Sequence, residues 1–96
     1  MATGTIPKSE FVGVLVLGTD SSPITNLSDI PINSSGLVFL GSSLRPNSNV
    51  SSYVYFCYGT NLRKIIICSL TTVSIGTYLN AYDNGTWRGW KTVTLT

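Results

Sequence analysis

The chain has no histidine and no glutamine, a single glutamate, two alanines and only ten charged side chains in 96 residues. Each shortage removes a class of explanation. Without histidine, the commonest general base and the commonest metal ligand are missing. The four carboxylates, Glu10, Asp20, Asp29 and Asp83, stand beside turns or at a strand entrance. Caps and Asx turns account for carboxylates in such places, whereas glycoside hydrolysis usually needs a facing pair. A serine or cysteine nucleophile would have no imidazole to activate it. The sequence therefore points to a protein that is not an enzyme, with no catalytic residues, no cofactor and no resident metal. Basic residues are too few and too scattered for a nucleic-acid footprint, which needs clustered Lys and Arg. The one adjacent pair, Arg63-Lys64, reads as solvated charge beside a hairpin turn. The longest apolar run, Phe11 to Gly18, is far short of the ~20 residues of a membrane span, so no membrane insertion is expected.

What is present is hydroxyl and amide. Thirteen Ser, twelve Thr and seven Asn make up a third of the chain, and Val, Ile and Thr together occupy 28 positions. Good helix formers are nearly missing while strand formers abound, so the composition alone predicts an all-β protein. At this length only about 60–65% of the unfolded surface can be buried, and the core must be thin. The two cysteines, Cys57 and Cys68, lack zinc-site spacing. A two-residue turn at Thr60-Asn61 would put Cys57 opposite Lys64, short of Cys68, and so predicts free buried thiols in a reducing compartment.

Along the chain, Met1 to Glu10 has no periodicity and reads as a leading segment or a cloning boundary, with a single domain over residues 11–96. Phe11 to Leu17 and Gly36 to Gly41 are apolar at every position, which predicts strands covered on both faces. Between them, Thr25 to Ile30 has room for one helical turn before Pro31. Tyr53 to Tyr58 and Leu62 to Leu70 predict a hairpin around Gly59-Thr60-Asn61. Thr71 to Ile75 either extends its second arm or begins the next strand.

The C-terminal segment is the most legible. Asn84-Gly85 between strand-like flanks signals a two-residue hairpin, because a type I′ turn needs two positive φ angles. That loop sets Asp83 against Thr86 and Tyr82 against Trp87, and further out Leu79 against Trp90 and Tyr78 against Lys91. Residues three apart on a strand face opposite ways. One of Trp87 and Trp90 is thus expected in the core and the other outside, where a partner or ligand would cover it.

The run Tyr82-Asp83-Asn84-Gly85-Thr86-Trp87-Arg88-Gly89-Trp90-Lys91 resembles the closing signature of the pyocin-knob-like family, the C-terminal domains of phage and R-type pyocin tail fibres. Asn26 to Ile32 and Ser35 to Val38 resemble the family's opening segment and first strand, so the resemblance covers about residues 24–95. The chain departs from the pattern where Leu37-Val38-Phe39 lacks a Tyr and where Arg88 replaces a common Ser. The resemblance implies a small antiparallel β-sandwich or β-prism-like knob, homotrimeric, made in the host cytoplasm and carried at the fibre tip of a virion, where it meets bacterial surface glycan.

Two candidate surfaces follow. The loop Ser42 to Ser52 has the Tyr, Ser and Asn composition of recognition loops; Arg45, Asn47, Asn49 and Tyr53 offer a fork, two amides and a ring, although a plain solvated loop has the same composition. Arg88 and Trp90 are the second ligand-binding candidates: the ring for sugar stacking and the guanidinium for an acidic group, against packing and solvated charge. Tyr82, Asn84, Gly85 and Trp87 are expected to be structural or at a subunit interface. Three functions fit: a receptor-binding fibre tip, a trimerisation and folding cap, and a monomeric carbohydrate-binding module.

Overall fold

The computed structural model describes residues 13–70 and 76–94. The expectations for Met1 to Glu10 and for Thr71 to Ile75 fall outside those residues. The described residues form seven strands: β1 (Gly13–Leu17), β2 (Ser34–Phe39), β3 (Ser52–Gly59), β4 (Arg63–Ser69), β5 (Thr77–Asp83), β6 (Thr86–Trp87) and β7 (Lys91–Val93). They form one sheet in the order β1-β2-β3-β4-β5-β6, with β7 also paired to β5. The all-β expectation holds, and the helical turn before Pro31 is a single 3-10 turn at Leu27–Asp29 capped by the Asn26 side chain. The second sheet expected of a sandwich is not present among the described residues, whose strands lie in one sheet. Nor is that sheet purely antiparallel, since β1 runs parallel to β2.

Parallel pairing requires a crossover, and residues 18–33 supply it. The chain leaves β1 at Gly18, and Ile24 rejoins the line of the sheet beside Leu40, with its N–H on Phe39 O and its carbonyl accepting from Gly41 N–H. Close approach of β1 and β2 depends on Gly36, whose φ is +138° and where a Cβ would lie 2.0 Å from the carbonyl oxygen of Leu15.

Among the described residues, the buried side chains gather on one face of the sheet. Val38, Tyr53, Tyr55, Cys57, Ile66 and Cys68 point into a core closed by Leu27 and Ile30 from the crossover and by Leu40, Leu44 and Val50 around the next loop. Two polar groups are buried with them. The Ser34 hydroxyl donates to Pro31 O at 2.7 Å, which leaves the Tyr55 hydroxyl to donate to Ser34 at 2.8 Å. Asn80 accepts the Gly89 N–H at 3.0 Å. Burial pushes the Tyr55 phenol above its ordinary value, tempered by the Ser34 hydrogen bond.

The β3–β4 connection is longer than the expected two residues. Gly59 pairs with Lys64, and Thr60 N–H donates to Arg63 O at 2.7 Å, so Cys57 stands opposite Ile66, not Lys64. Cys68 pairs with Tyr55, one diagonal step from Cys57. Diagonal partners sit about 7–8 Å apart, too far for a disulfide, and both thiols are free and buried. Burial raises both, Cys68 to about 12.

Candidate functional site

The C-terminal hairpin closes as its Asn-Gly predicts. Asn84 and Gly85 have φ of 47° and 104°, Tyr82 pairs with Trp87, and Asp83 pairs with Thr86. Beyond Trp87 the expected register fails. Leu79 pairs with Lys91 and Tyr78 with Thr92, one residue out of step. The extra residue lies in Arg88-Gly89-Trp90, where Gly89 has φ +98° and its N–H goes to the Asn80 side chain instead of the ladder. A bulge of one residue cancels the alternation. Trp87 and Trp90 consequently both pack against the core, and the expected outward Trp does not exist. Trp90 Nε1 donates to Leu44 O at 2.7 Å and so ties down the 41–51 loop. Trp87 packs on Tyr82 with centroids 5.0 Å apart, and the Lys64 ammonium lies 5.0 Å from the Tyr82 ring and 5.8 Å from Trp87.

The polar loop is held largely by the side chains proposed for recognition. Arg45 Nε donates to Leu40 O at 2.9 Å, and a terminal nitrogen reaches Ser48 O at 3.4 Å. The Asn47 side chain accepts from Asn49 N–H at 3.0 Å, an Asx turn inside the loop. Tyr53 is fully buried and cannot serve as a ligand platform. Its hydroxyl shares one proton between Val50 O at 2.7 Å and Asn47 O at 2.8 Å, and accepts the Asn47 N–H at 3.3 Å. Burial raises this phenol too, against the lowering effect of the Asn47 bond. Asn49 is exposed. Arg88 is brought together with none of these; it lies at the other end of the C-terminal hairpin.

The opposite face of the sheet was not anticipated from the residues. Val14 and Val16 on edge strand β1 are 79% and 70% exposed, so this apolar run is covered on one side only. Leu37, Val54 and Phe56 continue the patch across β2 and β3. At its end, a depression of about 340 Å³ is lined by Tyr58, Arg63, Lys64, Ile65, Ala81, Tyr82 and Asp83. Register explains it: Tyr58 pairs with Ile65 and Ile65 with Ala81, and the one small side chain in that row leaves the dip. The next row carries charge. Asp83 accepts from Arg63 Nε at 3.1 Å and from Arg88 at 3.0 Å, one guanidinium on each oxygen. These two bonds, Arg88's the larger, hold the Asp83 carboxyl below the ordinary carboxylate value.

Among the described residues, no three His, Cys, Asp or Glu side chains gather into a metal site, and no helix is long and apolar enough to cross a membrane. The chain matches no protein-family model, and no curated protein or solved structure shows significant similarity to it.

Proposed function

We propose that the protein is a non-enzymatic receptor-binding tip domain of a bacteriophage tail fibre, a homotrimer on the virion that adsorbs to carbohydrate on the host cell. The observation that carries this reading is the open aliphatic half of the sheet, where Val14, Val16 and Val54 are exposed around a half-buried Leu37, beside a strand with no partner on its outer side among the described residues. The three strands that carry it, about 4.8 Å apart and some six residues long, present a flat area of roughly 300 Å², and side-chain relief raises its accessible area. Monomers rarely leave contiguous apolar patches beyond a few hundred Å² in water, and a stable interface takes about 800 Å² from each partner. Copies of the same chain are the occupant that a fibre supplies. The kind of assembly rests on the resemblance of Tyr82 to Lys91 to fibre-tip knobs, and three weak sugar contacts per trimer become useful through multivalency. Asp83 is fixed as an anion between two guanidiniums, which suits a binding role better than proton transfer.

One observation favours a second reading, a trimerisation and folding cap whose receptor contacts lie on another domain. Arg45, Asn47 and Tyr53 are engaged in holding their own loop, leaving less of that loop for a receptor.

Light scattering on the purified chain tests the assembly both readings require. Three chains of 10.3 kDa give 30.9 kDa, and Val16→Lys is expected to shift that mass to 10.3 kDa with the β circular dichroism spectrum retained. A wild-type mass of 10.3 kDa would overturn the trimer and leave a monomeric carbohydrate-binding module.

A further inference from the structure

The depression at the end of the open face combines three features. Its approach is aromatic: Phe56 and Tyr58, 44% and 39% exposed, lie nearly parallel, 14° between planes and 6.1 Å between centroids. Its floor, Ile65 and Ala81, is apolar. Its end wall is Arg63 and Asp83; Arg88, just outside the lining, completes a guanidinium–carboxylate–guanidinium row in which Asp83 takes one N–H bond from each arginine. A guanidinium has five donors, so each keeps four for another partner, at side chains 81% and 61% exposed. The shared carboxylate holds both forks in place, so less freedom is lost when a ligand binds.

Charge adds a direction. Arg63 and Arg88 against Asp83 leave an excess of one positive charge here, Lys64 being turned to the opposite face over Tyr82 and Trp87. We infer that this depression binds an anionic sugar, its ring on Tyr58 and Phe56, its hydroxyls on the Asp83 carboxylate and its acidic group on the free N–H donors of Arg63 and Arg88. Aromatic faces take the C–H face of a sugar ring, and forked guanidiniums take carboxylate or phosphate. A fixed carboxylate in the middle of the wall accepts hydroxyl protons, while it repels the phosphodiesters that a nucleic acid would bring every nucleotide. The inference rests on the carbohydrate-recognition reading above and moves its site from the polar loop to the sheet.

The test is titration calorimetry of the intact chain with two carboxylate sugars (sialyllactose and tetragalacturonate), glucose 6-phosphate, the neutral lactose and maltotetraose, and a dT6 oligonucleotide. Tyr58→Ala and Arg63→Ala, both at exposed positions, are each expected to weaken the acidic ligand at least tenfold, and Arg88→Gln provides an independent second removal of donors. Lys91→Ala and Arg45→Ala are expected to leave it within twofold. Which acidic probe binds, carboxylate or phosphate, identifies the anion. Equal loss with Lys91→Ala would reduce the effect to bulk charge and overturn the site, as would tighter binding of dT6. Neutral sugars bound as well as acidic ones, with no dependence on Tyr58 or Arg63, would overturn this inference and leave carbohydrate recognition standing. If none of the five sugars binds, both are overturned.

Discussion

Replacing Tyr53 with phenylalanine separates the role the structure gives this residue from the one its sequence context suggests. The ring is fully buried and stays packed in the variant; only the hydroxyl is lost. Three groups of the 41–51 loop then lose a partner: the carbonyls of Val50 and Asn47 and the Asn47 N–H. An unsatisfied buried polar group costs about 1–3 kcal/mol. Val50 O is the deeply placed one, while water can reach Asn47, so a loss near 2 kcal/mol is expected. In a domain of this size each kcal/mol moves Tm by about 4–8 °C, giving a fall of roughly 8–16 °C at constant protomer concentration. Thermal denaturation followed by circular dichroism measures it. Hydrogen exchange at Val50, whose N–H closes a turn onto Asn47 O, should quicken with it. A stability change under 0.5 kcal/mol, or a lost sugar affinity at unchanged stability, would refute the argument and return Tyr53 to the ligand surface.

Two further perturbations test other parts of the fold. Gly36→Ala puts a methyl 2.0 Å from Leu15 O at a φ of +138°; strain of this kind costs about 1–3 kcal/mol, and β1 should separate from β2, seen as fast exchange of its amides, whereas native protection would refute the close approach. Raising the pH should destabilise the protein through Cys68. Its native pKa of about 12 lies above the unfolded value, so between roughly pH 9 and 12 the unfolded chain has lost a proton that the native state keeps. Stability then falls by about 1.4 kcal/mol per pH unit for this thiol; denaturant titrations at pH 8, 9, 10 and 11 should show the fall setting in near pH 9, and Cys68→Ala should reduce it to the smaller part due to Cys57.

The parts of the fold that short-range chemistry dictates were legible in the sequence. Asn84-Gly85 set the hairpin and its first two pairs because the turn geometry needs φ values that few residues adopt. Pro31 limited Thr25 to Ile30 to one helical turn, and strand composition marked an all-β chain. Long-range pairing was not legible. A continuous apolar run such as Val14 to Leu17 reads the same whether its second face is buried or bare, so the open face escaped notice. The parallel partnership of β1 with β2 has no local turn to announce it. At Arg88-Gly89-Trp90 a single extra residue reversed the facing of Trp90, and only the Asn80 side chain, distant in sequence, shows why. The polar loop had the composition of a recognition surface, but its acceptors for Arg45 are carbonyls, which composition does not reveal. The charged row beside the depression needs Asp83 next to both Arg63 and Arg88, and the first of those meetings is made by the β4–β5 register.

The parallel pairing of β1 also sets an order of assembly. Antiparallel neighbours such as β3 and β4 can start at their turn and zip outward, each new pair closing a loop only slightly longer than the last. Every β1–β2 pair is separated by the same 21 positions, as in Gly13 with Ser34 and Leu17 with Val38. No short loop starts that ladder, so its whole closure entropy falls at the first contact, and non-local contacts of this sort form slowly. The meander from β3 to β5 is thus expected to form early and β1 to join last. While it waits, the strand with the two barest valines is free to lie along β2 of a neighbouring chain, so concentration during refolding governs whether each sheet is completed by its own β1 or by another's.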